Sequence, residues 1–135
     1  MVPIAASLPV SAQTPDDRVA VRTVVETYLN GLKHNDVESL KKAFWPDAKL
    51  FFLKQDGTLG QLSQTEWYAQ FADAAGKESK ATLRIASLEV TNDAASVKVQ
   101  EDYTTARYTD YLSLLRVDGR WQIVNKIYTV QRAAK

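Results

Sequence analysis

The sequence contains no cysteine, which removes disulfide frameworks, thiolate nucleophiles and cysteine-ligated zinc from consideration. It has one histidine, too few for a metal centre built from two or three imidazoles, and no cofactor or metal is expected. An excess of charge of either sign is also missing. Seventeen Lys and Arg stand against sixteen Asp and Glu, so the summed field is too weak for phosphate-backbone binding, and nucleic acid is not an expected partner. Every apolar stretch is interrupted within a few residues, far short of the roughly 20 that a membrane-spanning helix needs. The few glycines are scattered, and no phosphate-cradling loop, nucleophile elbow or paired-carboxylate motif appears.

What is present fits one domain. A chain of 135 residues is long enough to bury about two-thirds of its unfolded surface around one core. Residues 1–15, MVPIAASLPVSAQTP, carry no charge, and Val10-Ser11-Ala12 resembles the small-residue end of a secretory signal without the basic leader. They read either as a flexible tail or as a signal-peptide remnant. The second reading implies export to the periplasm, the first a cytoplasmic protein. The domain is expected over 16–135.

From Asp16 the pattern is helical: Val21, Val24, Val25, Tyr28, Leu29 and Leu32 recur at three- and four-residue spacing, and the helix is expected to end between Gly31 and Asn35. Asp36 can cap a second helix, VESLKKAFW, which Pro46 would close. Lys49 to Lys54 reads as a strand before the Asp56-Gly57 turn, with a short partner near Gly60 to Leu62. Ser63 and Glu66 match a capping box for a third helix running to Gly76.

Beyond Lys80 the period falls to two, giving strands at 81–91, 94–105, 107–117 and 120–130. Asn92-Asp93 and Asp118-Gly119 suit two-residue hairpin loops. An unbroken register from these loops places Val117 opposite Arg120, Ser113 opposite Val124, Tyr111 opposite Lys126 and Leu112 opposite Asn125. It also places Leu88 opposite Val97 and Arg84 opposite Glu101, the last an ion pair unless a bulge near Ala86-Ser87 shifts it. Two faces of the last hairpin then compete for the interior. One carries Tyr111, Ser113, Lys126 and Tyr128; the other carries Leu112, Leu114, Trp121, Ile123, Asn125 and Ile127, with Asp110 and Asn125 as its polar groups.

The run Tyr108 to Lys126, YTDYLSLLRVDGRWQIVNK, resembles the ending of the "Putative lumazine-binding" family within the nuclear transport factor 2-like superfamily. Tyr28-Leu29-Asn30-Gly31 with Asp36, and Ala43 to Ala48 (AFWPDA), resemble that family's helix hairpin and turn. The resemblance covers about 16–130. It implies an α+β fold in which a curved, mostly antiparallel sheet and about three helices on its concave side enclose a cone-shaped pocket. It also implies a homodimer paired through the sheet. Ketosteroid isomerases, scytalone dehydratase and polyketide cyclases share the superfamily. By that likeness Tyr28 matches an oxyanion-binding tyrosine, but the general-base aspartate of the isomerases falls at Phe52 and their protonated acid at Ser113. Neither residue can abstract a proton. His34 sits in a polar turn, which speaks against the histidine-dependent dehydratase arrangement.

The candidate ligand-binding residues are therefore Tyr28, Phe52, Trp67, Tyr111, Ser113, Asn125, Lys126 and Tyr128, with Asp110 or Lys126 as acid or base if there is catalysis. Trp45 and Phe71 read first as core, and Asp47 as a turn residue. The leading expectation is a pocket for a small apolar or carbonyl-bearing ligand. The alternatives are a lyase or isomerase of polyketide-cyclase-like or dehydratase-like type, and a dimeric interaction module whose cone is filled.

Overall fold

A computed structural model describes residues 15–134. The two readings of the N-terminal segment fall on residues 1–14, outside the described residues. The element order is α1 (Pro15–His34), α2 (Val37–Ala43), β1 (Phe44–Leu53), β2 (Leu59–Leu62), α3 (Gln64–Ala69), a single 3₁₀ turn (Ala72–Ala74), β3 (Thr82–Thr91), β4 (Ala94–Asp102), β5 (Ala106–Val117) and β6 (Arg120–Arg132). The six strands form one sheet in the order β2-β1-β6-β5-β4-β3, antiparallel throughout except where β1 runs parallel to β6. Three helices packed with a curved, mostly antiparallel sheet make the α+β architecture expected from the sequence.

Local chemistry accounts for most boundaries. Asp36 Oδ1 accepts from the backbone N–H groups of Glu38 and Ser39 and starts α2. Ser63 and Glu66 close a reciprocal capping box on α3. Asn92 and Asp118 take positive φ in the two hairpin loops, and their flanking residues pair as Thr91–Ala94 and Val117–Arg120. The core is sealed by the stripe Val21, Val25, Tyr28 and Leu32 of α1, lying over Val97, Val99, Leu112, Leu114 and Ile123 of the sheet.

Four expectations are corrected. Helix α2 stops at Ala43 rather than Trp45: Phe44 is extended and pairs with Ile123, and the residue before Pro46 is sterically biased away from helix. Helix α3 ends at Ala69 rather than Gly76, giving way to the 3₁₀ turn. In β3, Ala86 is an unpaired extra residue between Ile85 and Ser87, so Arg84 lies opposite Gln100, to which its guanidinium donates, and Glu101 lies opposite Leu83 without an arginine.

The fourth correction matters most. Val124 is a second extra residue, between the pairs Leu114–Ile123 and Ser113–Asn125. Beyond it Leu112 faces Lys126, Tyr111 faces Ile127 and Asp110 faces Tyr128, displacing the expected Tyr111–Lys126, Ser113–Val124 and Leu112–Asn125 pairs. Because side chains alternate with period two, one inserted residue moves everything beyond it to the other face. The interior therefore takes Trp121 and Ile123 from one candidate face and Lys126 and Tyr128 from the other, while Tyr111, Ser113 and Ile127 point away from the core.

Gly31 marks where α1 and α2 touch: a Cβ there would stand 2.5 Å from Leu40 Cδ2 and 3.1 Å from the Asp36 carbonyl oxygen. Alanine gains about 1 kcal/mol of helix propensity over glycine, whereas overpacking against a fully buried Leu40 costs about 1–3 kcal/mol. Gly31→Ala is expected to lower the unfolding free energy by up to about 2 kcal/mol in urea titration; a raised midpoint would show that the hairpin can open at no cost.

Candidate functional site

The interior of the sheet is apolar except for one cluster. Along β4, Ala95, Val97 and Val99 alternate inward and are followed on the same face by Glu101; along β5, Leu114 and Leu112 are followed by Asp110; on β6, Ile123 is followed, after the bulge, by Lys126. Helix α1 sets Tyr28 directly over them. Residual exposure is 0% for Tyr28 and Asp110, 3% for Glu101 and 5% for Lys126.

The cluster is bonded in a fixed order. Lys126 Nζ donates to the Tyr28 hydroxyl at 2.7 Å, and that hydroxyl donates to Asp110 Oδ2 at 2.5 Å, with Lys126 Nζ 3.6 Å from the same carboxylate oxygen. The single phenolic proton of Tyr28 is thus committed to Asp110. Burial, with the Asp110 charge adding to it, pushes the Tyr28 phenol well above its ordinary range, so it stays neutral. The ammonium also lies 4.7 Å from the ring centre of Trp67, 5.0 Å from that of Tyr128 and 5.2 Å from that of Tyr28, three π-faces that favour a cation.

Glu101 and Asp110 each keep one buried oxygen with no other partner, Oε2 and Oδ1. Burial first, then the hydrogen bond and the charge of Asp110, raise the Glu101 carboxyl well above ordinary glutamate. A proton on Glu101 donated to Asp110 would satisfy both oxygens. Its other oxygen, Oε1, accepts from the Tyr103 hydroxyl at 3.5 Å.

This cluster closes the deep end of a cavity of about 830 Å³. Lys126, Glu101 and Tyr103 line it at depth, Trp67 and Phe71 form one aromatic wall, and Phe52, Tyr128 and Tyr108 form another. In the second wall Phe52 stacks on Tyr128 at 5.2 Å. Lys54, Gln55 and Arg132 also line the cavity, with exposed side chains that place them at its mouth. Of the residues singled out from the sequence, Phe52, Trp67, Lys126 and Tyr128 come together here. Tyr28 lies behind Lys126 rather than at the cavity surface. Tyr111 and Ser113 are exposed on the opposite face, where the alternation of β5 that turns Leu112 and Leu114 inward puts them, and Asn125 pairs with Ser113 there because the Val124 bulge turned that part of β6 over. Trp45 is exposed and His34 lies at the exposed end of α1.

Glu101 and Tyr103 were missed as site residues. A carboxylate continuing the Ala95-Val97-Val99 alternation was the available signal, and it was masked by the assumed pairing with Arg84. Among the described residues no group of three or more His, Asp or Glu side chains could hold a metal ion.

The raised Glu101 carboxyl links stability to pH. The folded state keeps a proton that the unfolded chain releases above the ordinary value of 4.5, so this contribution is full below that pH and is lost as pH rises toward the folded value. Stability should fall by up to about 1.4 kcal/mol per pH unit in that window, and Glu101→Gln, which mimics the protonated carboxyl, should flatten the slope. Urea titrations from pH 4 to 8 read both; parallel pH profiles for the two proteins would mean that Glu101 is ionised in the fold.

Comparison with known proteins agrees with this geometry. The "Putative lumazine-binding" family matches residues 16–129. A nuclear transport factor 2-like protein of unknown function from Shewanella baltica superposes with a TM-score of 0.82 at 25% identity, covering 90% of this chain and 99% of that one. A second, from Silicibacter pomeroyi, gives 0.77 at 29% identity, covering 89% and 100%. Among curated proteins the chain is similar to Aldolase FrzH of a Cladobotryum species, 25% identical over 118 residues that cover 85% of this chain and 92% of the relative. With the match running across nearly the whole described domain, the chain belongs to the "Putative lumazine-binding" family of nuclear transport factor 2-like proteins.

Proposed function

We propose that this protein binds a small carbonyl-bearing molecule in the cavity and carries out acid–base chemistry at that carbonyl, as a lyase or isomerase. The observation that carries this reading is Lys126: a nearly buried ammonium that still lines the cavity and is anchored from behind by Tyr28 and Asp110. A buried charge costs several kcal/mol of desolvation, which a purely structural site would avoid with an apolar residue. One N–H of Lys126 goes to Tyr28, leaving others free to meet a ligand oxygen. As negative charge develops on that oxygen, a fixed ammonium in a low-dielectric cavity stabilises it. Glu101, with a raised carboxyl, is the group placed to take or return a proton at the neighbouring carbon.

The oxyanion-binding role that likeness to the isomerases gives Tyr28 passes in this reading to Lys126, since the tyrosine proton already serves Asp110. Similarity to Aldolase FrzH supports carbonyl chemistry, and the cavity volume, within the usual range for ligand sites, speaks against a filled cone. Pairing of two copies belongs to the same proposal. The convex face carries Tyr111 beside Ile127, which neighbours Phe51 across β1, an apolar row that a second copy would cover.

Binding is tested with lumazine, an aryl ketone and a 2-oxo acid as probes, read by calorimetry and Trp67 fluorescence. At least one is expected to bind to the wild type, and Lys126→Met should weaken it about 10- to 100-fold with the fold retained by circular dichroism. Equal affinity in the variant, or no binding by any probe, rules the reading out. Sedimentation equilibrium at micromolar concentration should give a dimer; a monomer removes the pairing.

A further inference from the structure

We propose that Lys126 is a nucleophile as well as an oxyanion partner, and that the carbonyl ligand becomes attached to its Nζ as an iminium. This inference rests on the reading that a carbonyl compound occupies the cavity. Three arrangements around the side chain carry it.

The first is a route by which the amine can lose a proton. Nζ, the Tyr28 hydroxyl and Asp110 Oδ2 form a continuous chain of 2.7 and 2.5 Å. A proton passed from nitrogen to Tyr28, with the Tyr28 proton passed on to Asp110, turns an ion pair into a neutral pair without changing the charge of the cluster. In a desolvated site the neutral pair is not penalised as it would be in water. Rotation about the terminal C–N bond then presents the lone pair to the cavity. Of the two lysines that line the cavity, Lys54 is exposed at the mouth and has no such acceptor behind it.

The second is an acid on the ligand side. Glu101 lines the same end of the cavity, and burial and Asp110 raise its carboxyl well above ordinary glutamate, which suits it to protonate the carbonyl oxygen. The third is the ring of Trp67, Tyr128 and Tyr28 around Nζ, which attracts an iminium as it attracts an ammonium.

The step balances with groups already present. The nitrogen lone pair forms the N–C bond while the C=O π pair moves to oxygen, which takes a proton from Glu101. The carbinolamine nitrogen gives a proton back to Glu101. The hydroxyl takes a second proton from Glu101 and leaves as water while the lone pair forms C=N, and Glu101 recovers its proton from the Asp110 carboxyl beside it. Nitrogen loses two protons and the departing water carries two, so Asp110 and Glu101 end as they began. The resulting iminium draws electrons from the adjacent carbon, the requirement for making or breaking a carbon–carbon bond next to a carbonyl.

The test is reductive trapping on the full chain. Benzaldehyde and pyruvate are added separately at pH 7 with sodium cyanoborohydride, adducts are located by peptide mapping, and non-covalent binding of each probe is measured by calorimetry without reductant. The expected result is a reduced adduct at Lys126 with at least a tenfold higher occupancy than at the surface residues Lys54 and Lys98. Lys126→Arg should lose it, and Asp110→Asn, which removes the proton acceptor, should slow its formation more than tenfold. A probe that binds while Lys126 stays unmodified in the wild type overturns the covalent step and leaves the binding reading standing. A probe set that neither binds nor labels overturns both.

Discussion

Placing an ammonium group inside an apolar sheet is the constraint around which the rest of this structure is arranged. Lys126 sits opposite Leu112 with its ammonium over the ring of Trp67, where an unpaired charge would cost several kcal/mol. Asp110 supplies the counter-charge from the next strand, and Tyr28 descends from α1 to bridge the two. The helix hairpin is therefore tied to the sheet by a polar lock as well as by the Val21-Val25-Leu32 stripe. Removing one partner would leave another charge buried without relief, which is why the cluster has to be considered as a unit.

The same constraint shapes the cavity. A second carboxyl, Glu101, has its affinity for a proton raised by burial and by Asp110, so the deep end of the cavity sets a carboxyl that favours its acid form beside the Lys126–Tyr28–Asp110 chain. Aromatic walls lie between that buried end and the exposed polar side chains of Lys54, Gln55 and Arg132 at the mouth. Here Phe52 stacks on Tyr128 as a wall, and the ionisable groups come from β4, β5 and β6.

Much of this was legible in the chain. Caps at Asp36 and Ser63, turns at Asn92-Asp93 and Asp118-Gly119, and the change from helical to alternating period at Lys80 are local signals, each resting on a few neighbouring residues, and each element they announce is present. Phe52, Trp67, Lys126 and Tyr128 were within reach as an aromatic and basic set. The two unpaired residues, Ala86 and Val124, were of a different kind. Neither is a glycine nor a proline, and nothing in its own side chain marks it as the one the ladder skips.

By itself, then, the sequence determined which segments are helix and strand, where the hairpins turn, and that one tyrosine and several aromatics would lie near the centre. Tertiary structure alone decided which faces look inward. A strand's side chains alternate with period two, so the single residue at Val124 exchanges Asn125 and Ile127 for Lys126 and Tyr128 on the inner face of β6, beside the Asp110 of β5, and the one at Ala86 frees Glu101 from Arg84. Each insertion shows only in how a strand pairs with its neighbour, and the two together turn a run of ordinary strands into a site.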